Sequence, residues 1–145
     1  MRIFTVFPLL LIPVAIYNII ALSGREFATT AYVRSRLDED FQAVNMASDT
    51  LWHITPGHAL IALTILLLFF ELLKSTGFGR AAIMNHAFSM CLFIICLVEF
   101  LMLPAFATSV FFLVMLMSLL DVMAGFMVTI AAARRDFAVG DGYAD

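Results

Sequence analysis

The chain has 145 residues, of which 63% are hydrophobic and only 13% are charged, and its mean hydropathy is +1.04. A soluble domain of this length cannot bury so much apolar surface, whereas a lipid bilayer accommodates it. The formal net charge of −3, with basic residues that are scattered, argues against nucleic acid as a partner. The composition therefore predicts a single all-α membrane domain over residues 1–145, with the lipid bilayer as its surroundings.

Four apolar segments approach or exceed the ~20 residues that cross a hydrocarbon core of ~30 Å. They lie at about 3–22, 57–73, 83–103 and 106–133. Thr55 and Pro56 supply an N-cap and a first-turn proline for the second segment, and Pro104 interrupts the chain before the fourth. The expected fold is a four-transmembrane-helix bundle.

The first segment has an alternative interpretation as a signal peptide. Arg2 precedes an apolar run, and residues 21–23 resemble a small-residue cleavage site. The apolar run is longer than a typical signal core, however, and it contains Pro8 and Pro13. We interpret it as a retained, kinked span.

The basic residues near the predicted membrane boundaries indicate the orientation. Five of them fall on one side of a four-span protein: Arg2, Lys74, Arg80, Arg134 and Arg135. The loop 24–55 on the other side has three arginines, diluted by five acidic residues. The positive-inside rule then predicts a multi-pass protein of a bacterial inner (plasma) membrane, with both termini and the polar tail 136–145 in the cytoplasm.

The extracytoplasmic loop 24–55 contains apolar residues at helical spacing. They are Val33, Leu37, Phe41, Val44, Ala47 and Leu51. This pattern predicts an amphipathic helix over 33–51 that lies on the outer membrane surface, with Trp52 at the interface. The same apolar face is also a candidate docking surface for a partner subunit.

Three acidic residues lie inside the apolar segments, namely Glu71, Glu99 and Asp121. A charged side chain near the bilayer centre costs roughly 2.5–3.5 kcal/mol on insertion scales, so each acid is a candidate functional residue. Each shares a helical face with small or polar residues. These are Gly57 and Thr64 in the second segment, Asn85, Ser89 and Cys96 in the third, and Ser118, Gly125 and Thr129 in the fourth. We expect these stripes to face the interior of the bundle.

The helical rise places the three acids at different expected depths. Glu71 is about one turn from the cytoplasmic end, Glu99 about one turn from the outer end, and Asp121 near the middle, so neighbouring acids would differ in height by about 10–15 Å. Glu71 is expected to pair with Lys74 or to reach the interface. We expect no Lys or Arg at the depth of Asp121. Asp121 should therefore be protonated, hydrogen-bonded to Ser118 or to a hydroxyl across the bundle, or paired with a residue from another chain, as a structural or a functional group.

Two histidines, His53 and His58, flank the outer start of the second span. Together with Glu99 they form a candidate outer metal site, although their spacing matches no zinc motif such as HExxH. Polar tips at the interface are the alternative. The sequence contains no motif of nucleophilic or phosphate chemistry, and it indicates no cofactor.

The absence of a catalytic set and the small extramembrane surface favour a non-catalytic accessory, assembly or stabilising subunit of a larger inner-membrane complex, whose partners are other membrane-protein subunits. An alternative is a small transporter or proton-conducting protein that uses Asp121, Glu99 and Glu71. A third hypothesis is a membrane enzyme or cofactor binder at His53, His58 and Glu99.

Overall fold

The structure is a computed structural model that describes residues 6–23, 29–75 and 80–140, with side chains omitted at 75, 80, 81 and 131–140. In chain order its helices and strands are α1 (Leu11–Leu22), α2 (Thr30–Leu37), β1 (Gln42–Asn45), β2 (Leu51–Ile54), α3 (Pro56–Ser75), α4 (Arg80–Met102), a 3-10 helix (Pro104–Phe106) and α5 (Ser109–Gly140). The chain is mostly helical, as the composition predicts.

Three helices are long and apolar enough to cross a membrane. Their apolar stretches are Pro56–Lys74, Ala82–Met102 and Ser109–Ile130, with mean hydropathies of 2.0, 1.8 and 2.3. Helix α1 is also apolar, but its 12 residues rise only about 18 Å. The prediction of a helical membrane protein is thus confirmed, with three helices of spanning length among the described residues.

Helix α5 is the centre of the bundle. It packs extensively against both α3 and α4, which touch each other much less. Accordingly 44% of its apolar stretch is buried, against 22% for each of the other two long helices. Phe111 and Val114 of α5 are fully buried in the core, together with Cys96 of α4. The outer faces of α3 and α4 carry exposed Leu, Ile, Phe and Met side chains, which suits contact with lipid.

Helix α1 and the residues before it contact the bundle at two levels. The chain turns at Pro8, and its first helical hydrogen bond runs from the Leu11 N–H to the Pro8 carbonyl at 3.1 Å. The Leu9 N–H contacts Glu71, near the end of α3 that we call the Lys74 end. Farther along α1, the Tyr17 hydroxyl donates to the Ala105 carbonyl at 3.0 Å. Ala105 lies at the opposite, hairpin end, where strands β1 and β2 also lie.

An aromatic cluster secures α1 at the hairpin end. The Tyr17 ring is fully buried, with its centroid 5.4 Å from that of Phe106 and 4.6 Å from that of Phe111. Its hydroxyl also lies 2.6 Å from Thr108 Oγ1. Ring packing and hydrogen bonds together satisfy both the apolar and the polar part of the tyrosine, as buried Tyr requires.

Helix α2 closes the hairpin end of the bundle. The Thr29 hydroxyl caps its first turn by accepting from the Tyr32 N–H at 3.3 Å, and Val33 and Leu37 bury the inner face. Gly57 at the start of α3 permits this contact, because a Cβ there would lie 3.1 Å from the Leu37 carbonyl oxygen. The glycine that we placed on a polar stripe therefore serves close helix packing.

The loop between α1 and α3 differs from the prediction. The expected amphipathic helix over 33–51 is found only from Thr30 to Leu37, and an antiparallel hairpin of β1 and β2 follows it. Three consecutive acids, 38–40, oppose continuation of the helix, because negative charge is unfavourable at a helix C-terminus. Asp49 then takes a φ of 56°, which Asp tolerates and which reverses the chain. The i, i+3 spacing beyond residue 37 was therefore coincidental.

The last helix is longer than its predicted span, because α5 continues to Gly140 rather than ending near 133. Several predictions lie outside the described residues. These are the start of the first span and Arg2, the loop residues 24–28, the turn residues 76–79, the side chains of Arg80, Arg134 and Arg135, and the last five residues of the tail.

Candidate functional site

Glu71 is the best-satisfied polar group inside the bundle. Its side chain is fully buried and receives hydrogen bonds from three different parts of the chain. The Asn85 amide of α4 donates to Oε1 at 2.6 Å, and the Leu9 N–H donates to Oε2 at 2.7 Å. Lys74 Nζ lies 2.9 Å from Oε1, as the pairing prediction expects. The Glu71 carboxylate is therefore satisfied inside the bundle by these three partners and is not exposed at its surface.

The break at Pro8 explains why Glu71 and Lys74 are needed here. A turn before α1 leaves backbone groups without helical partners, which is costly in an apolar environment. The Glu71 carboxylate satisfies the Leu9 N–H, and Lys74 Nζ donates to the Phe7 carbonyl at 2.7 Å. The ion pair of α3 thus caps the start of α1, with the negative member at the helix N-terminus where it is favoured.

Asp121 lies in the same part of the bundle and is 2% exposed. Ser89 acts on the Asp121 carboxyl group as a hydrogen-bonding neighbour, and Glu71, His86 and Lys74 act on it through their charges. Ser89 of α4 faces it across the helix interface, yet Ser89 Oγ and Asp121 Oδ2 both lack a hydrogen bond of normal geometry. The expected partner Ser118 is engaged elsewhere, because its hydroxyl donates to the Met115 carbonyl at 2.8 Å.

His86 packs directly on Gly125, one helical turn beyond Asp121. A Cβ at residue 125 would lie 1.8 Å from His86 Cε1, so only glycine leaves room for the ring. The imidazole also makes an edge-on contact with Phe126, with ring centroids 5.2 Å apart. His86 Nε2 is buried and has no hydrogen-bond partner.

The prediction of three separate depths is wrong for two of the acids. Glu71 and Asp121 act on each other electrostatically, and Lys74 and His86 are close enough to act on Asp121 as well. The error came from measuring depth from the middle of each span, although the spans differ in length. Asp121 is 12 residues from the start of α5 and Glu71 is 15 residues from the start of α3. Because both helices begin at the hairpin end, the two acids differ by only about 5 Å in height.

Glu99 lies apart from this cluster, toward the hairpin end. Its Oε2 accepts from the Asn18 amide of α1 at 3.3 Å, and Asn18 also donates to the Val14 carbonyl at 3.1 Å. The buried residues Leu92 and Cys96 separate it along α4 from Ser89. Glu99 therefore links α4 to α1 near the position that its sequence predicted.

The two outer histidines do not come together. His53 Nδ1 lies 3.1 Å from Asp40 Oδ2 on the exposed hairpin. His58 Nδ1 accepts from the Thr55 N–H at 3.3 Å, and the Thr55 hydroxyl accepts from the His58 N–H at 3.3 Å. Within residues 6–23, 29–75 and 80–140, no three His, Cys, Asp or Glu side chains are arranged to hold a metal ion.

The polar stripes do face inward for the most part. Thr64, Asn85, Ser89, Ser118 and Gly125 are all buried, whereas Thr129 is exposed. Sequence reasoning missed the contributions of His86 and Asn18 and of the backbone at residues 7–9. The signal that was missed is Pro8. A proline near the start of an apolar segment interrupts helical hydrogen bonding, so the backbone groups beside it need hydrogen-bond partners from elsewhere in the chain.

The arrangement separates a satisfied ion pair from an unsatisfied cluster. Glu71 and Lys74 neutralise each other and tie three helices together, whereas Asp121, Ser89, Asn85 and His86 each present an unpartnered polar atom.

Compared with known proteins, the chain matches no family model, no curated protein and no solved structure.

Proposed function

We propose that the protein is a non-catalytic accessory, assembly or stabilising subunit of a larger inner-membrane complex. The observation that supports this proposal is the exposed hairpin. Phe41, Leu51 and Trp52 are 78%, 58% and 51% exposed, and all the residues of β1 and β2 except Ile54 are exposed. An isolated two-stranded hairpin is marginal in water, so a surface that covers these side chains would stabilise it.

The proposed orientation places the hairpin outside a bacterial inner membrane and both termini in the cytoplasm, with α1 as a fourth, broken span. Contacts of residues 9 and 17, before and in the middle of α1, support this. Leu9 meets Glu71 at the Lys74 end, and Tyr17 meets Ala105 at the hairpin end. A short helix with a turn before it can complete a span where its free backbone groups are buried in protein.

Native co-purification tests the subunit proposal. We expect the full chain, extracted in mild detergent from its own membrane, to elute with larger membrane proteins. The double variant Phe41→Ser/Trp52→Ser should lose them while keeping its helical content, and Ser48→Ala in the hairpin turn serves as the matched control. Elution of the wild-type chain as a lone monomer would remove the proposal.

A second candidate, a small proton-conducting protein that uses Asp121, Glu99 and Glu71, is supported by the unpartnered oxygen of buried Asp121. The buried apolar layer of Leu92, Cys96 and Val114 weakens it, because this layer separates Asp121 from Glu99. Proton flux in liposomes decides the matter. Flux that Asp121→Asn abolishes would support conduction, and flux equal to that of protein-free liposomes would exclude it.

A further inference from the structure

Four buried polar side-chain atoms in the described part of the chain lack a hydrogen-bond partner, and all four lie in one cluster. They are Asn85 Oδ1, His86 Nε2, Ser89 Oγ and Asp121 Oδ2. Asn85, Ser89 and Asp121 are 4%, 2% and 2% exposed. Buried polar atoms in folded proteins nearly always have a hydrogen-bond partner. A group of such atoms without partners indicates bound water or another small ligand.

The four atoms belong to side chains that are neighbours on two helices. Asn85 and Ser89 are one helical turn apart on the same face of α4, and the Asn85 amide is fixed by its 2.6 Å bond to Glu71. Ser89 is close enough to act on the Asp121 carboxyl group across the interface with α5. The His86 ring is held against Gly125, which follows Asp121 by one turn on α5. Three oxygens and one nitrogen without partners thus lie in one region of the interface between α4 and α5.

Among the residues that the structure describes, the charges nearby leave one acid unmatched. On α3, Glu71 is paired with Lys74 at 2.9 Å, and residues 7–9 before α1 contribute the backbone groups that bind this pair. On α4, the facing groups are Asn85, His86 and Ser89, and of these only His86 can carry charge. An ionised Asp121 therefore adds one negative charge, which Glu71 opposes and Lys74 partly offsets.

We propose that this cluster is a binding site for one exchangeable proton, shared between Asp121 and His86 through water held by the four unpartnered atoms. In one form Asp121 Oδ2 carries the proton and the imidazole is neutral. In the other, Oδ2 gives the proton to the water, which passes one of its own to His86 Nε2, so that an ion pair forms. Loss of that proton to solvent leaves Asp121 ionised and His86 neutral.

The nitrogen in the cluster selects the proton over an alkali cation. Sodium and similar hard cations take oxygen ligands, and three oxygens without the nitrogen would favour them. An imidazole close to a carboxyl group can instead exchange a proton with it. The inference depends on neither proposed function, because binding a proton requires neither a partner subunit nor a path across the membrane.

Infrared difference spectroscopy of the full chain in phospholipid nanodiscs, titrated with pH, tests the site. We expect a protonated-carboxyl band that shifts in deuterium oxide, disappears as pH rises and is missing in Asp121→Asn. His86→Gln should move the titration midpoint, because it removes the second proton acceptor. Glu99→Gln, which changes an intramembrane acid outside the cluster, is the matched control and should leave the band in place.

A band that persists unchanged in Asp121→Asn, or a midpoint that His86→Gln does not move, would overturn the proposal. Stabilisation of the wild-type chain by sodium ions at constant pH, lost in Asp121→Asn, would overturn it in favour of a cation site. Ser89→Ala removes one hydroxyl only and provides a variant if Asp121→Asn does not fold. It should shift the frequency of the same band, and an unshifted band would also contradict the site.

Discussion

At the scale of single residues, burial alone does not distinguish the two acids of the cluster. Glu71 and Asp121 are 0% and 2% exposed. Glu71 nevertheless accepts bonds from Lys74, Asn85 and Leu9, while Asp121 Oδ2 accepts none. Glu71 has the contacts of a structural group. Asp121 has an oxygen without a hydrogen-bond partner, as expected at a site that exchanges a ligand.

Glu71→Gln should be strongly destabilising. The amide removes the negative charge and places a donor beside three donors, so that the ion pair of fully buried Glu71 with partly exposed Lys74 is broken. Breaking a buried pair in this way costs about 3–5 kcal/mol. Unfolding in mixed detergent micelles measures the loss. Glu99→Gln, which touches only a 3.3 Å bond from Asn18, should cost about 1 kcal/mol or less, and an equal effect of both variants would contradict the assignment.

Gly125→Ala should destabilise the protein although alanine favours helices. The added methyl group would lie 1.8 Å from the His86 ring, so the ring must move, and overpacking of this kind typically costs about 1–3 kcal/mol. Thermal unfolding in detergent gives the size of the effect. In a His86→Ala background the same change should be neutral or stabilising, and a persistent loss there would show that the contact is not the cause.

At the scale of whole elements, α1 is the helix whose attachment differs most from that of the others. The long helices α3 and α4 pack against α5, whereas α1 is fixed by polar contacts at Leu9, just before it, and at Tyr17, in its middle. Val14 and Ala21 of α1 are also buried. The hydrogen bonds of the Tyr17 hydroxyl are therefore expected to fix the position of the whole helix α1 and not only that of its own side chain.

Tyr17→Phe tests this attachment. It keeps the ring contacts with Phe106 and Phe111 but removes the hydrogen bonds to Ala105 and Thr108. We expect a loss of about 1–2 kcal/mol together with faster amide hydrogen exchange in α1. Tyr32→Phe on α2, a half-buried tyrosine, is the control. Unchanged exchange in α1 would show that the hydroxyl does not fix the helix.

The sequence predicts elements best where one physical signal dominates. The long helices follow from apolar length, and the inward position of Asn85, Ser89 and Asp121 follows from helical periodicity. The hairpin could not be predicted in the same way, because apolar residues between 37 and 51 fit a period of three or four as well as the strand pattern. The meeting of Glu71 with Asp121 depends on the relative height of two helices, which one chain's spacing does not fix.

At the scale of the whole molecule, the four-span arrangement makes a definite topological prediction. A cysteine introduced at Ser48, with Cys91 and Cys96 replaced by Ala, should react with a membrane-impermeant maleimide from outside the cell. Reporters fused to either terminus should both be active in the cytoplasm. A reporter at the N-terminus that is active only outside, with the C-terminal one inside, would mean that α1 does not cross.

The contacts of α1 also set an order of assembly. Its polar partners lie far along the chain, since Leu9 and Glu71 are 62 positions apart and Tyr17 and Thr108 are 91 apart. The ribosome therefore makes α1 before its partners, and α1 cannot dock until α3 and the start of α5 have followed it. Until then the backbone groups before α1 lack these partners and are open to chaperones or to incorrect contacts. A helix made before its partners is thus secured only after they have been inserted.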